Sequence, residues 1–369
     1  MAHKKIMLIA GEDSGDLHGA ELIKALRGST PDYKFCGVGG DKMIKQGLVP
    51  IDHIKNLNVI GIIEVIKHYP RISKIFNKVL QYIKTEKPEK VILIDYPGFN
   101  LRLAKKISGL GIEVIYFILP QVWAWKSSRA ETLNKFTDKR ISIIPLEKNW
   151  FKKRNIDVSF VGNPLIELQK IQVEKEFIRK KYKISKGDKI VALMPGSRDS
   201  EIQKHWPIFL KTISLINNQK GFSIVPVLLK APNIKIDKLP KKIISTKEDH
   251  YKILSIADAA VVCSGTATLE TAILGCPMVV CYQLSAITWF LAQRMSSVEH
   301  LSLVNIISNK KIVNELLQQK MTPENILKEL KFLLSKKGNE TIKKEYRILT
   351  NSLRSKTNPY LEAAAHVLQ

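Results

Sequence analysis

Two series of short apolar runs, with helix-like segments between the runs, divide the 369-residue chain and leave few folds open to it. In the first series, KIMLIA (5–10), VILID (91–95), VIYFIL (114–119), ISII (141–144) and VSFVG (158–162) have the composition of parallel strands buried on both faces. Between them Ile72, Ile75, Phe76, Val79, Leu80 and Ile83 recur at three- and four-residue spacing, the stripe of an amphipathic helix. A charged stretch, QKIQVEKEFIRKKYKISKGDK, reads as a linker. The second series follows it: IVALMPG (190–196), SIVPVLL (223–229), AAVVCSG (259–265) and MVVCY (278–282). Strands alternating with helices predict two doubly wound α/β domains, and the length is also large for one core. The expected boundaries are 1–168 and 169–345, with 346–369 ending in a helix-like NPYLEAAAHVL that returns to the first domain.

The net charge of +25 suits an anionic partner, such as a phosphorylated substrate or an anionic membrane. A lysine-rich genome that leaves solvated side chains on helix faces accounts for the excess equally well. No basic cluster interleaves with stacking aromatics, so nucleic acid is not expected as a partner. Cys36, Cys263, Cys276 and Cys281 form no CxxC pair and have no histidine at metal-ligand spacing, which indicates neither zinc nor a disulfide scaffold and fits a reducing cytoplasm. At the start, Gly11, Glu12 and Asp13 interrupt the apolar run before a signal-peptide core can form, and no run reaches the ~18 to 20 residues of a spanning helix.

Ligands of doubly wound sheets bind beyond the carboxyl ends of the strands, and here those ends are chemically rich. LIAGEDSGDLHG is neither a dinucleotide fingerprint nor a Walker loop. Its Gly11 and Gly15 let backbone approach a ligand, while Glu12, Ser14 and Asp16 can bond hydroxyls; an ordinary helix entry capped by Ser14 or Asp16 fits the same residues. IDYPGFN places a carboxylate, Asp95, at the tip of a buried strand, where it must be paired, exposed at a cleft or used. In the second half, Gly196, Ser197 and Arg198 offer amides and a guanidinium to a phosphate. Ser264, Gly265, Thr266 and Thr268 open a helix whose N-terminus suits a diphosphate, and Glu270 can accept from ribose hydroxyls. Together these predict a nucleotide-sugar site.

GEDSGDLHGAELIKAL, GVGG, IDYPGFNLRLAK, LPQVWAWK, VGNPL, MPGSR and SGTATLE, in this order, resemble the lipid-A-disaccharide synthase family from about residue 5 to about 310 and more faintly to the end. Leu119, Asn163 and Val304 depart from the family's usual Ser, His and Pro. The resemblance implies two Rossmann-like domains facing across a cleft, the GT-B type of glycosyltransferase. It implies transfer of 2,3-diacylglucosamine from its UDP donor to 2,3-diacylglucosamine 1-phosphate with inversion, without cofactor or essential metal. On that reading Asp95 is the single base that deprotonates the acceptor, held by Tyr96, Pro97 and Gly98, unless it merely caps the next helix or pairs with Arg102. Gln121, Trp123 and Trp125 would lie near the sugar, His18 could contact sugar or phosphate, and Arg198 with the amides after Gly265 would meet the charge of the departing UDP.

The stretch 57–80 is too apolar for one buried face: Val59, Ile60, Ile62, Ile63, Val65 and Ile66 crowd together, flanked or interleaved by Lys55, Lys67, Arg71, Lys74 and Lys78. That is the pattern of a segment that inserts into an anionic membrane surface, here the inner face of the cytoplasmic membrane, although burial between domains or subunits produces it too. A nucleotide-sugar epimerase and a non-catalytic UDP-sugar-binding protein are the competing readings. A homodimer stays open.

Overall fold

The computed structural model describes residues 4–30, 32–57, 62–124, 127–219, 223–231, 236, 239–285, 289, 294 and 299–369, with the backbone alone for 62–67. The apolar runs of the first series become β1 (Lys5–Ile9), β4 (Lys90–Ile94), β5 (Glu113–Phe117), β6 (Lys139–Ser142) and β7 (Ser159–Phe160). With β2 (Lys34–Gly39) and β3 (Leu48–His53) they form a parallel sheet in the order β3-β2-β1-β4-β5-β6-β7. β2 and β3 are not among the apolar runs, and each carries a residue that argues against a strand, Gly37 and Pro50. At Gly37 a Cβ would stand 1.9 Å from the Leu8 carbonyl oxygen of β1, so only glycine lets the strands approach. Pro50 is tolerated because β3 is an edge strand.

Helices α1 (Asp13–Ser29), α2 (Asp41–Lys45), α3 (Ile62–Glu86), α4 (Pro97–Ile107), α5 (Arg129–Phe136) and α6 (Pro145–Lys152) connect these strands. Alternation along β1 divides the core: Met7 and Ile9 pack with Val79 and Ile83 of α3 and Leu103 of α4, while Ile6 and Leu8 pack with Leu22 and Leu26 of α1. Both faces are therefore buried, which is why the strands read as continuous apolar runs.

The second unit, Leu165–Ser352, repeats the plan. It contains α7 (Lys175–Lys181), β8 (Lys189–Met194), α8 (Asp199–Asn217), β9 (Ile224–Leu229), β10 (Ile244–Thr246), α9 (His250–Ile256), β11 (Ala259–Val262), α10 (Thr266–Ile273) and β12 (Met278–Tyr282). It continues with α11 (Leu303–Ser308), β13 (Glu315–Leu317), α12 (Pro323–Leu334) and α13 (Lys336–Ser352), and its parallel sheet runs β10-β9-β8-β11-β12-β13. The charged stretch expected to be a linker carries α7, whose Arg179 is buried and donates to the carbonyls of Ser185 (2.6 Å) and Asp188 (3.2 Å). Charge alone hid this helix; the guanidinium satisfies carbonyls of the turn before β8.

The first unit comprises Met1–Pro164 together with Leu353–Gln369, so the last helix, α14 (Pro359–Leu368), belongs to it. Ala363, Ala364 and Val367 enter the α1 side of the core, and the Tyr360 hydroxyl lies 2.9 Å from Nδ1 of His18. His18 is thus engaged within the fold, and burial lowers its pKa to about 4. Among the described residues no helix is long and apolar enough to cross a membrane.

Candidate active site

In both sheets the strand order reverses beside the first strand, between β1 and β4 and again between β8 and β11. Such a switch point leaves a crevice at the carboxyl ends of the two strands, because their connections leave in opposite directions. The residues singled out from the sequence fall at these two places.

In the first unit, Asp95 follows β4 with φ 45° and Tyr96 follows it with φ 47°, two successive left-handed residues without a glycine. Hydrogen bonds from several elements hold the turn. The Asp95 amide donates to the Phe117 carbonyl at 3.1 Å, and the Asp95 carbonyl accepts from Asn100 Nδ2 at 2.8 Å and the Tyr116 hydroxyl at 2.7 Å. The Tyr96 hydroxyl donates to the Leu57 carbonyl at 2.9 Å, and Pro97 starts α4 with its φ already set. Asn100 and Tyr116 carry most of the restraint expected of Tyr96, Pro97 and Gly98.

The Asp95 carboxyl is pushed up to about 6, chiefly by burial and then by the nearby Glu12 charge, with the Tyr96 amide opposing. Among the described residues no cation contributes, Arg102 included. Glu12 is exposed at the N-cap of α1 and makes no side-chain capping bond, and Ser14 is exposed beside it.

Gly11, Gly15 and Asp16 each have a role in the fold. A Cβ on Gly11 would lie 2.3 Å from the Tyr96 ring, and one on Gly15 3.2 Å from the Ala10 methyl, so the close approach these glycines allow is that of protein groups. Asp16 is buried, and its oxygens accept the amides of Gly40 (2.7 Å), Lys42 (3.1 Å) and Met43 (3.0 Å), which caps α2 and not α1. Gln121 is exposed after β5, but Trp123 is 4% exposed, with its indole donating to Glu147 Oε1 at 2.8 Å. Trp123 therefore presents no free face to a sugar. Trp125 lies outside the described residues.

In the second unit, Gly196 (φ 131°) turns the chain after β8, and a Cβ there would come within 2.5 Å of Glu201 Oε2. The Ser197 amide donates to the same oxygen at 2.9 Å, so it is not free for a phosphate as expected. Glu201 Oε1 accepts from the Tyr282 hydroxyl at 3.2 Å and more loosely from Arg198 at 3.4 Å, leaving the guanidinium more than half exposed. His205 joins this loop to the end of β12: its Nδ1 is 2.8 Å from the Pro195 carbonyl, and its Nε2 is 3.0 Å from the Gln283 amide. A carbonyl only accepts and an amide only donates, so the ring is the neutral Nδ1-protonated tautomer. Burial is the main cause that lowers its pKa, in keeping with that state.

Beside it, Gly265 (φ 121°) is exposed at the N-cap of α10, and open space lies where its Cβ would be. Thr266 is exposed next to it. The Thr268 hydroxyl turns inward to the Gly265 carbonyl at 2.8 Å and Ser264 leans to the Leu301 carbonyl at 3.4 Å, so the threonine braces the turn. Glu270 accepts from the Tyr251 hydroxyl at 3.3 Å, and burial raises its pKa. Pairing of Met194 with Val262 brings the 196–198 and 264–266 turns to neighbouring strand ends.

The family model described as lipid-A-disaccharide synthetase matches residues 6–366. The chain belongs to the lipid-A-disaccharide synthase family. It is 35% identical over 339 residues to the lipid-A-disaccharide synthase of Trichlorobacter lovleyi, covering 90% of this chain and 88% of the relative. To that of Myxococcus xanthus it is 35% identical over 335 residues, covering 89% and 87%. Among solved structures, the UDP-GlcNAc 2-epimerase from Neisseria meningitidis bound to UDP-GlcNAc superposes with a TM-score of 0.61 at 14% identity, over 99% of this chain and 98% of that one. A glycosyltransferase from Rickettsia africae does so with a TM-score of 0.59 at 13% identity, over all of both chains. These likenesses show the fold, that of GT-B glycosyltransferases and 2-epimerases; family membership favours the glycosyltransferase of lipid A biosynthesis over the epimerase.

Within this synthase family the three departures are packing positions. Leu119 and Val304 are buried, and Asn163 donates to the Ile143 carbonyl at 3.1 Å while its amide bonds Leu353 at 2.8 Å. Asn100, Tyr116, Glu147, Glu201 and His205 escaped the sequence reading. Their only signal there is polarity in otherwise helical or strand-like context, and their partners lie in other elements.

Proposed function

We propose that this family member transfers a 2,3-diacylglucosamine unit from its UDP donor to the primary hydroxyl of 2,3-diacylglucosamine 1-phosphate. The Asp95 carboxylate accepts the hydroxyl proton as that oxygen attacks the anomeric carbon. The bond from that carbon to UDP breaks with inversion, and its electron pair leaves on the diphosphate. Arg198 and the amides at the start of α10 meet that charge, and Glu270 accepts from the ribose. The observation that carries the reading is a mostly buried carboxyl, pushed up to about 6 and without a cation partner among the described residues, at the β1/β4 switch point of a chain from this family. Glu12 and Ser14, exposed beside it, and Gln121 after β5 are the polar groups suited to the acceptor sugar.

Substrates bearing acyl chains sit in a bilayer, and the cytoplasmic membrane face is the surface on which this chain would meet them. Val59 and Ile60, and the side chains of Ile62, Ile63, Val65, Ile66 and Lys67, lie outside the described residues. Of the rest, Arg71 donates to the Asn56 carbonyl (2.9 Å) and Lys78 pairs with Asp52, so they tie α3 to its own unit. Tyr69, at 55% exposure, and exposed Lys74 remain as docking groups. A homodimer is compatible with this scheme and is not required by it.

UDP release by the purified chain, with and without the acylated sugar phosphate, tests the reaction. Transfer predicts acceptor-dependent release. Release that ignores the acceptor, or conversion of the UDP-sugar without release, overturns it. Sedimentation with anionic vesicles tests the docking: Tyr69→Glu with Lys74→Glu should lower vesicle binding while leaving turnover of detergent-solubilised substrate in place.

A further inference from the structure

We infer that Glu147 holds a proton in the folded protein, and that in this neutral form it is the positioning residue that locks the Trp123 turn and the ends of β5 and β6 around Asp95. The inference deepens the proposed role of Asp95 and rests on it for the catalytic consequence only.

Glu147 is 1% exposed, on the first turn of α6. Its Oε1 accepts the Trp123 indole N–H at 2.8 Å, and its Oε2 meets the Ser142 hydroxyl. That hydroxyl has two further neighbours, the Ile144 amide at 3.0 Å and the Ile144 carbonyl at 3.0 Å. A hydroxyl has one hydrogen and two lone pairs. The three contacts are all satisfied when the hydrogen goes to the carbonyl, the amide donates to one lone pair, and the carboxyl donates to the other. An ionised Glu147 would instead claim the hydroxyl hydrogen and leave two oxygens 3.0 Å apart with none between them.

The charges agree with the count. Asp95, at the end of β4, disfavours a second negative charge; Trp123 and Ser142, from the loop after β5 and from β6, favour one. Burial outweighs them, and among the described residues no cation acts on it; the carboxyl is held up at about 8. At neutral pH one carboxyl of the pair is then ionised to take a proton while the other stays neutral and donates a hydrogen bond. The mechanical link is short. Phe117, whose carbonyl accepts the Asp95 amide, ends the strand that leads into the Trp123 turn, and Ile141, next to Ser142, accepts the Ile118 amide at 3.0 Å.

The test is the indole ¹⁵N–¹H signal of Trp123 in the full chain, assigned by its loss in Trp123→Phe. In the wild type this signal should titrate once with a midpoint near 8, and turnover should fall over the same range. Glu147→Gln can accept from the indole and donate to Ser142, so its signal should stay flat and its turnover should outlast the wild type's alkaline decline. Glu147→Ala should lower turnover roughly tenfold or more with UDP affinity unchanged, since a misplaced base is costly. An indole signal that does not move from neutral to alkaline pH in the wild type overturns the inference, as does a Gln variant as impaired as the Ala variant. The indole titration needs no substrate, so it reads the proton on Glu147 even if the chain proves not to be a transferase.

Discussion

The two switch points are built on the same sheet order but solve the backbone problem in opposite ways. After β4 the left-handed positions are Asp95 and Tyr96, and after β5 a third is Ile118 at φ 63°, all with side chains. After β8 and β11 they are Gly196 and Gly265. A left-handed residue with a side chain costs about 1 to 3 kcal/mol and persists only where its surroundings over-determine it. On the proposed function the first unit accepts that cost because the Asp95 side chain is the reagent. In the second unit the groups proposed to hold the diphosphate include backbone amides at a helix N-terminus, and glycine gives the same turn without strain. Restraint follows suit: Asn100 and Tyr116 grip the Asp95 carbonyl, whereas Glu201 fills the place of a missing Cβ at Gly196.

The largest expected effect breaks the first site alone. Asp95→Asn keeps the shape and removes the base, so turnover should fall by about two to four orders of magnitude with UDP affinity nearly unchanged in calorimetric titration. Near-normal turnover would remove Asp95 from the chemistry. On the other side, Arg198→Ala and Glu270→Ala should each weaken UDP by roughly 1.5 to 3 kcal/mol, the range for hydrogen bonds to charged groups; turnover of saturated enzyme should hold in Glu270→Ala and fall in Arg198→Ala, which also loses a partner of the departing diphosphate. Unchanged affinity in both would move the nucleotide elsewhere.

The glycines sharpen the contrast at smaller scale. Gly196→Ala meets both a disfavoured φ and Glu201 Oε2 at 2.5 Å, whereas Gly265→Ala meets the φ penalty alone. Both should lower the melting temperature, the first more, and only the first should also loosen the Ser197–Glu201 contact that orders the loop. Equal losses would mean that Glu201 is not the organiser.

The smallest effect is a shift in a pH profile. A base must be ionised, so kcat/KM should decline as pH drops through about 6, and Glu12→Gln should move that limb to lower pH by removing the charge that raises it. Stability has the opposite sign. The folded carboxyl binds its proton more tightly than the unfolded one, so its contribution falls as pH rises from 3.8 to about 6. Asp95→Asn should therefore gain stability relative to wild type across that window, by at most about 3 kcal/mol. A pH-independent difference would place Asp95 in contact with solvent.

Much of the site was legible because its residues follow strand ends, and strand ends are visible as the last residues of apolar runs. Asp95, Gly196, Arg198 and Gly265 stand out this way, and the structure places them after strands at the two switch points. Asp16, expected at substrate by its place after β1, and Trp123, expected there by the family resemblance, both turn inward, Asp16 to cap α2 and Trp123 to bind Glu147. Nothing local distinguishes a polar side chain that faces a ligand from one that satisfies a buried amide, since both lie beside the same turn. The strands β2 and β3 were lost for a related reason: Gly37 and Pro50 are breakers in isolation and are allowed only by the neighbour at β1 and by the free edge.

The sequence by itself determined the class of fold, because runs buried on both faces and separated by amphipathic helices have no other economical packing than parallel sheets covered on both sides. It also determined where chemistry can occur, since polar residues after buried strands must emerge at the carboxyl edge of those sheets. Tertiary structure alone decided which of these residues are free to act. Trp123 and Glu147, Tyr116 and Asp95, and Tyr282 and Glu201 meet only after parallel strands are stacked side by side. The protonation states follow from that stacking, because burial and the nearest charge are properties of the neighbours in space and not of the neighbours in the chain.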